Sequence, residues 1–183
     1  RAHPAARAEG LARLKAFVPK AGRDYAAQRN YDLEGHPHVS VLSPYIRHRM
    51  VTEEEVLRAV LGRYAPSTAE KFVQEVFWRT YWKGWLEQRP AVWADYRRDL
   101  GPLRDAAPRG LADAEAGRTG LEPFDAWARA LVASGYVHNH ARMWFASIWI
   151  FTLELPWQLG ADFFYRHLLD GDPASNTLSW RWV

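Results

Sequence analysis

Tyr-Val-His-Asn-His-Ala-Arg-Met (136–143) opens the stretch that decides the fold, and Leu-Leu-Asp-Gly-Asp-Pro-Ala-Ser-Asn (168–176) closes it. Between them runs an aromatic and aliphatic segment, 144–153. An apolar run of this length predicts a buried helix, here with polar groups on either side of it. The arrangement therefore predicts a buried site for a flat polar ligand.

The polar residues of this stretch follow two patterns. Asn139, Arg142 and Met143 are three and four positions apart, so they share one face of a helix. In the second segment glycine and proline indicate a loop, where side chains and backbone can converge on a ligand. The polar side chains of that loop are Asp170, Asp172 and Asn176.

The rest of the chain has helical periodicity. Of the 183 residues 48% are hydrophobic, enough for a core, and no useful β alternation, repeat or low-complexity tract is present. Capping boxes at 52–55 and 67–70 predict helix starts. The pattern predicts an all-α fold in one domain over 1–183, which could be a segment of a longer chain. We predict helices over 5–18, 52–65, 67–88, 123–134, 139–155 and 159–169, with a long loop over 99–120 that contains at most one helical turn.

Composition excludes several classes of protein. The absence of cysteine excludes disulfides, thiolate nucleophiles and Cys-ligated metal centres, and histidines two positions apart diverge on a helix, so no metal site is predicted. No signal peptide is visible, and the longest apolar run, 143–153, is shorter than the roughly 20 residues of a membrane span. We expect a cytoplasmic protein without membrane contact.

Positive charge is concentrated near the start of the chain. Residues 1–50 hold nine Arg or Lys against four Asp or Glu, which fits a polyanion partner and equally a solvated surface.

One helix face combines charge with aromatic rings. Glu75, Trp78, Arg79 and Trp82 are spaced i, i+3, i+4 and i+7. A buried Glu75 would have to be paired or protonated, because desolvating an isolated charge costs on the order of several kcal/mol. A surface ion pair of Glu75 with Arg79 would instead contribute roughly 0.3–0.5 kcal/mol. The spacing alone favours neither interpretation.

Two serines allow two interpretations as well. Ser40 and Ser43 precede Pro44 in a segment of small hydroxyls and apolar anchors. They could cap a helix, or they could bind phosphate together with backbone N–H groups.

Three blocks of sequence resemble the FAD-binding helical domain of the DNA photolyase and cryptochrome family. They are 39–47, 70–85 and 119–182, and both their order and their internal spacing match. The third block contains Thr119-Gly120, His138-Asn139, Arg142-Met143, Asp170-Gly-Asp and Trp180-Arg-Trp. The resemblance covers roughly residue 25 to the end of the chain.

The resemblance implies FAD as the cofactor, folded into a U shape. It assigns Tyr25, Ser40 and Ser43 to the phosphates and the ribityl chain. The residues that it places along the cofactor pocket and beside the flavin ring are Arg79, Asn139, Arg142, Asp170, Asp172 and Asn176. It also implies an ion pair between Arg142 and Asp170. Such a ligand requires hydroxyl, N–H and guanidinium donors for its phosphates and a few directed hydrogen bonds to its ring.

The same resemblance implies a substrate, a cyclobutane pyrimidine dimer flipped out of DNA. Glu75, Asn139 and Met143 match residues beside the lesion, and Trp78 and Trp182 match the indoles that bracket it. Electron transfer to the flavin is assigned to Trp180 and Trp157, with Trp93 as a candidate for the outermost position.

The sequence also departs from the family pattern. We expect a protein without the α/β antenna domain of ordinary photolyases. Within the chain, Phe72 replaces a common tryptophan, and His140 stands where an arginine is common. Asn139 with Met143 argues against the (6-4) type. We expect FAD-dependent, blue-light-driven repair of pyrimidine dimers. The alternatives are a cryptochrome-like photoreceptor that signals through a partner, and a flavin-binding module without photochemistry.

Overall fold

A computed structural model describes residues 4–183, apart from the side chain of Trp182. The described residues are mostly helical and contain no strand, so the prediction of an all-α fold is confirmed. Among them, no helix is both long enough and apolar enough to cross a membrane. The α-helices are α1 (Arg7–Phe17), α2 (Arg23–Gln28), α3 (Ser43–Arg47), α4 (Glu53–Leu61), α5 (Pro66–Glu87), α6 (Pro90–Asp105), α7 (Leu111–Ala116), α8 (Glu122–Ser134), α9 (Asn139–Ser147) and α10 (Trp157–His167).

Four short turns of other helix types join these elements. Two are 3₁₀ turns, Val18–Lys20 and Leu178–Trp182, and two are π turns, Ile148–Thr152 and Pro173–Thr177. The first π turn continues α9, so the helix predicted over 139–155 is α-helical only in its first part. The second π turn holds the polar loop of the predicted site.

The chain packs as two compact units, 1–81 and 82–183, and the boundary falls within α5. The core of the first unit includes Leu42, Val51, Val56, Val60 and Phe72. Burying each such side chain contributes about 1.5–3 kcal/mol. The prediction of one domain over the whole chain stays a prediction.

The core of the second unit is aromatic. Phe124 and Phe145 stack with their ring centroids 4.1 Å apart, and Phe163 and Trp149 stack at 6.1 Å. These four rings come from α8, α9, α10 and the π turn after α9. The aromatic run between the two polar segments therefore fills this core, as the sequence predicts.

Local sequence signals set several helix ends. Thr52 Oγ1 accepts a hydrogen bond from the Glu55 N–H, and the Glu55 carboxylate accepts one from the Thr52 N–H, so this capping box is confirmed. Pro123 lies in the first turn of α8, and Gly135 ends that helix with a φ of 72°. A glycine reaches this left-handed conformation without steric cost.

Two predictions about helix boundaries are wrong. Helix α5 begins at Pro66, so Ser67 lies inside the first turn instead of capping it. The region 99–120 is not a long loop, because α6 continues through Gly101 and Pro102 to Asp105 and α7 follows. Proline inside a helix costs about 3 kcal/mol. Apolar packing offsets this cost, since the second-unit core covers Tyr96, Leu100 and Leu103.

Candidate functional site

A buried ion pair joins the two polar segments of the second unit. Arg142 donates to both carboxylate oxygens of Asp170 at 3.2 and 3.1 Å, and its Nε donates to the Val137 carbonyl at 2.8 Å. The Arg142 guanidinium also lies 5.5 Å from the ring centre of Tyr136. The ion pair that the resemblance implies is thus present, and helix α9 and the 168–176 loop are held together by a bidentate contact.

Asp172 is fixed in the same loop by the backbone. Its Oδ1 accepts hydrogen bonds from the N–H groups of Ala174 and Ser175 at 2.9 and 3.0 Å, which caps the π turn. Its Oδ2 lies 3.8 Å from Lys83 Nζ. The sequence pattern gave no indication of Lys83, since it lies 89 positions earlier in the chain.

Asn176 contains a buried donor that no protein group satisfies among the described residues. Its side chain is buried, and neither the Nδ2 of Asn176 nor the Oγ1 of neighbouring Thr177 has a hydrogen-bond partner there. An unsatisfied buried polar group costs roughly 1–3 kcal/mol, so a bound group with an acceptor atom would stabilise it. The polar edge of a flavin ring supplies acceptors of this kind, and the donor set of the loop fits that cofactor.

Asn139 and Met143 lie on α9 and are exposed. The N-cap of this helix is His138, whose Nδ1 accepts a hydrogen bond from the His140 N–H at 3.1 Å. His138 itself is buried. It orients the first turn of α9, and with it Asn139.

Asp125 organises the approach to α8. It accepts hydrogen bonds from the N–H and the hydroxyl of Thr119 at 2.9 and 2.8 Å and from the Gly120 N–H at 2.9 Å. Burial favours the neutral acid, but these hydrogen bonds outweigh it and lower the pKa of Asp125. The match of Thr119-Gly120 to the family pattern thus has a structural basis, since both residues bind the Asp125 carboxylate.

Replacing Asp125 with Asn should lower the free energy of unfolding by about 2 kcal/mol, because the hydrogen bonds to the charge weaken. Because the pKa of Asp125 is lower in the folded than in the unfolded protein, its charge stabilises the fold at pH values above the unfolded pKa. This stabilisation is lost as the pH falls through the folded pKa. The difference between wild type and variant in urea unfolding should therefore shrink below about pH 4. Asp113→Asn is the control, since the Asp113 side chain is exposed; an equal loss in the control would contradict the prediction.

Trp180 is buried among the rings of the second-unit core. Its centroid lies 5.0 Å from that of Phe164 and 6.1 Å from that of Trp149, both edge to face. It also packs against the backbone of α10, where a Cβ added at Gly160 would lie 2.5 Å from Trp180 Cη2 and 3.0 Å from Trp149 Cε2. Only glycine leaves room for this indole.

Gly160→Ala should therefore displace Trp180 and destabilise the protein by about 1–3 kcal/mol. Urea unfolding with tryptophan fluorescence measures both effects. Gly101→Ala is the control, because a Cβ at Gly101 meets nothing within 4 Å and alanine favours the helix. An unchanged free energy of unfolding in Gly160→Ala would contradict the prediction, because it would mean that the Trp180 indole moves without destabilising the protein.

Trp157 begins α10 and is partly buried against the core. Its ring stacks on Tyr96 with centroids 5.7 Å apart, and the Arg181 guanidinium lies 5.8 Å from its centre. Trp182, the other indole of the Trp180-Arg-Trp motif, has a side chain outside the described part of the structure. Its predicted role stays a prediction.

In the first unit, Glu75 is neither buried nor isolated. Its side chain is 41% exposed, and its carboxylate accepts a hydrogen bond from Arg29. The interpretation of Glu75 as a buried carboxylate is therefore wrong. The interpretation as a surface ion pair named Arg79 as the partner and did not predict Arg29, 46 positions earlier.

The neighbours of Glu75 on α5 differ in exposure. Arg79 is largely buried, with Nε 3.9 Å from Glu53 Oε1. Trp78 is 49% exposed and lies edge to face with Tyr81 at 5.5 Å.

Tyr25 lies close to this pair. It is buried edge to face against Phe17 and Phe72, and the Arg29 guanidinium lies 5.9 Å from its ring centre. Burial, followed by the charge of Glu75, raises the pKa of Tyr25. The first unit thus brings Tyr25, Arg29 and Glu75 together.

The two serines do not cap a helix. Ser43 is the first residue of α3, whose N-cap is Leu42 without a side-chain hydrogen bond. Ser40 Oγ accepts from the Leu42 N–H at 3.3 Å, before the helix begins. The capping interpretation is wrong, and phosphate binding by these residues stays a prediction.

The first unit also has an open groove of about 460 Å³ that contains none of the predicted site residues. Its lining is Leu11, Leu14, Lys15, Val18, Pro19, Ala59 and Arg63.

Known proteins are similar to this chain. A family model described as the FAD binding domain of DNA photolyase matches residues 72–183. A deoxyribodipyrimidine photo-lyase of Streptomyces griseus is 36% identical over 151 residues, 79% of this chain and 31% of the relative. Another, from Alkalihalophilus pseudofirmus, is 33% identical over 180 residues, 94% of this chain and 36% of the relative. A bacterial class III photolyase from Agrobacterium tumefaciens superposes with a TM-score of 0.81 at 28% identity, covering 97% of this chain and 37% of that one. The chain spans about a third of the length of each.

Proposed function

We propose, because this chain belongs to the family of FAD-binding domains of DNA photolyase, that it is the cofactor-binding part of an enzyme that repairs pyrimidine dimers in DNA with light. The family inferred from the blocks 39–47, 70–85 and 119–182, and FAD as the cofactor of that family, are confirmed. The substrate and the reaction are the proposal. The relatives whose names state this activity are about three times as long as the chain.

The observation that carries the flavin assignment is the unsatisfied donor of Asn176, in a loop whose two carboxylates are already held by protein groups. Asp172 is held by two backbone N–H groups and Asp170 by Arg142, so both carboxylates are positioned before a ligand binds. We assign Asn176 to the polar edge of the flavin ring, and Asp170 and Asp172 to the ring and ribityl portion. Reduced FAD, when bound, supplies an electron donor that light excites. The protein excludes water and fixes the hydrogen bonds around it.

Tyr25, Ser40, Ser43 and Arg79 of the first unit are assigned to the phosphates and the ribityl chain. Arg79 supplies a charged donor, and the serines supply hydroxyls. Within this unit the Ser40 hydroxyl accepts one backbone hydrogen bond and can still donate to a phosphate oxygen.

We assign lesion binding in the first unit to Glu75 and Trp78. The half-exposed Trp78 indole offers a face on which a base can stack, worth about 1–3 kcal/mol per base. The Glu75 carboxylate accepts from the N–H groups of a base edge, and Arg29 holds it in place. In the second unit, Asn139 and Met143 are exposed on α9 and are assigned to the same substrate. Trp182 is assigned to it from the sequence match.

Repair of a defined lesion tests the proposal. The full-length protein is loaded with FAD, reduced chemically and illuminated with blue light together with a single-stranded oligonucleotide that carries one cyclobutane thymine dimer. The expected result is restored thymines in the light and none in the dark or without FAD. Intact dimers in the presence of bound, reduced FAD would overturn it. If the flavin is then still reduced by light, the protein is a cryptochrome-like photoreceptor; if not, it is a flavin-binding module without photochemistry.

A further inference from the structure

Helix α9 of the second unit carries part of an aromatic cluster that neither the flavin assignment nor the lesion assignment uses. The indoles of Trp127 and Trp144 stack with their ring centroids 6.0 Å apart and their planes 28° apart. The imidazole of His140 lies edge to face with Trp144 at 4.6 Å. One ring from α8 and two rings from successive turns of α9 thus form a contiguous cluster.

The cluster is anchored on its inner side and open on its outer side. Trp127 is partly buried and packs against the core of the second unit, whereas Trp144 is 50% exposed. The core therefore fixes the inner indole, and the outer indole presents a flat ring to solvent. A large aromatic ring has few rotatable bonds, so it loses little conformational entropy when a ligand stacks on it.

The cluster adjoins the residues of α9 that are assigned to the lesion. Asn139 and Met143 form one i, i+4 row along this helix, and His140 and Trp144 form the next row, about 100° further around it. Met143 is 57% exposed, so the two rows make one continuous surface. A strand whose dimer contacts Asn139 and Met143 therefore brings a neighbouring nucleotide close to Trp144.

The charge of this segment suits a polyanion. Residues 126–153 contain no Asp or Glu, whereas they contain two arginines and two histidines. The preceding carboxylate, Asp125, is buried and bound by Thr119 and Gly120. A phosphate backbone that crosses α9 thus meets no exposed carboxylate of this segment. Together with the flat, half-exposed indole, this charge pattern favours a nucleic acid strand as the occupant.

We propose that Trp144, supported by Trp127 and His140, is a stacking platform for a base of the DNA strand next to the dimer. The inference rests on the proposed function, because it takes DNA that contains a pyrimidine dimer as the substrate. A dimer that flips out of the strand leaves its neighbouring base without a stacking partner. The Trp144 indole replaces that partner. Because every base has an aromatic face, the platform binds the neighbouring nucleotide without selecting its sequence.

Removal of single bases from the substrate tests the platform. The full-length, FAD-loaded protein is titrated in the dark with a single-stranded oligonucleotide that carries one cyclobutane thymine dimer, and fluorescence anisotropy gives the Kd. In further oligonucleotides an abasic nucleotide replaces, in turn, each of the two positions on either side of the dimer. A dinucleotide dimer without neighbours, measured by competition, is the minimal ligand.

Three variants accompany the wild type. Trp144→Ala removes the ring, and Trp144→Phe keeps a smaller one. Tyr165→Ala is the control, because Tyr165 is an exposed aromatic residue of the same unit on α10, where its ring lies against Trp93. Urea unfolding of each variant shows whether the fold is retained.

In the wild type, we expect an abasic nucleotide at one of these positions to raise the Kd about 5- to 150-fold, as the loss of one stacked base predicts. Trp144→Ala should raise the Kd for the complete oligonucleotide by a similar factor, and the abasic nucleotide should then have no further effect. This non-additivity identifies the ring and the base as partners. Trp144→Phe should give an intermediate Kd, and Tyr165→Ala should match the wild type. The Kd of the dinucleotide dimer should be the same in all four proteins.

Equal effects of the abasic nucleotide in the wild type and in Trp144→Ala would overturn the platform, as would an unchanged Kd in Trp144→Ala. A changed oligomeric state of Trp144→Ala in sedimentation velocity, without a change in DNA affinity, would overturn it too and assign the cluster to a contact between protein copies. Trp144→Phe keeps the test decisive if Trp144→Ala fails to fold.

Failure of this inference is separable from failure of the proposed function. Chemically reduced wild-type protein is assayed under blue light for repair of the same dimer oligonucleotide. Absence of repair contradicts the proposed function. Normal repair, together with additive effects of Trp144→Ala and the abasic nucleotide on the Kd, contradicts only the platform.

Discussion

Asp170→Asn is expected to abolish loading of the protein with FAD. The Asp170 side chain is 6% exposed and that of its partner Arg142 is 19% exposed, so the substitution leaves a mostly buried guanidinium without its counter-charge. Removing one member of a buried pair costs about 3–5 kcal/mol. A cost of this size in the FAD-bound protein corresponds to a Kd for FAD that is at least about 100-fold higher. Titration of the apoprotein with FAD, followed by quenching of flavin fluorescence, measures the change.

A double variant separates binding from folding. Arg142→Met together with Asp170→Leu removes both charges and replaces them with apolar side chains, which is often neutral or stabilising for the fold. We expect this variant to regain much of the urea stability lost in Asp170→Asn but to bind FAD no better. Recovery of FAD binding would show that the pair acts only through the fold.

Glu75→Ala is expected to lower the rate of dimer repair while FAD binding and photoreduction stay at the level of the wild type. Hydrogen bonds to a charged group contribute about 1.5–3 kcal/mol, which corresponds to a loss of roughly 10- to 100-fold. The measurement is repair of the thymine-dimer oligonucleotide by chemically reduced protein under blue light. Photoreduction is measured on the same preparation.

The ion pair of Glu75 with Arg29 supplies the matched control. Arg29→Ala breaks the same pair but leaves the carboxylate in place, whereas Glu75→Gln keeps a hydrogen-bonding side chain without charge. If Glu75 reads the lesion itself, Glu75→Ala should impair repair more than Arg29→Ala. Equal losses would assign the effect to the ion pair, and wild-type repair by Glu75→Ala would exclude Glu75 from the site.

Much of the candidate site could be predicted because its signals are local. The spacing of Asn139, Arg142 and Met143 requires only a helix, and the Asp170-Gly-Asp motif requires only a loop. Both elements are present. The family motifs added the partner of Arg142, which the helix spacing could not identify. Periodicity and caps succeed because backbone hydrogen bonds repeat every few residues along the chain.

Other features depended on packing between distant segments. Arg29 reaches Glu75 and Lys83 reaches Asp172 only because the chain folds back over 46 and 89 positions. The ring contacts of Trp157 with Tyr96 and of Tyr96 with Trp93 join α10 to α6, and α6 continues through Pro102 because packing against the core offsets the cost of the proline.

By itself, the sequence determined the all-α fold, the helix face that carries Asn139 and Arg142, and the family. Only the tertiary structure decided that Arg29 pairs with Glu75, that Asn176 Nδ2 has no hydrogen-bond acceptor among the described protein groups, and which aromatic rings contact one another. The physical reason is that helical pattern is set within a few residues by the backbone. Contacts between side chains far apart in sequence are instead set by the close packing of a whole core, which no local window contains.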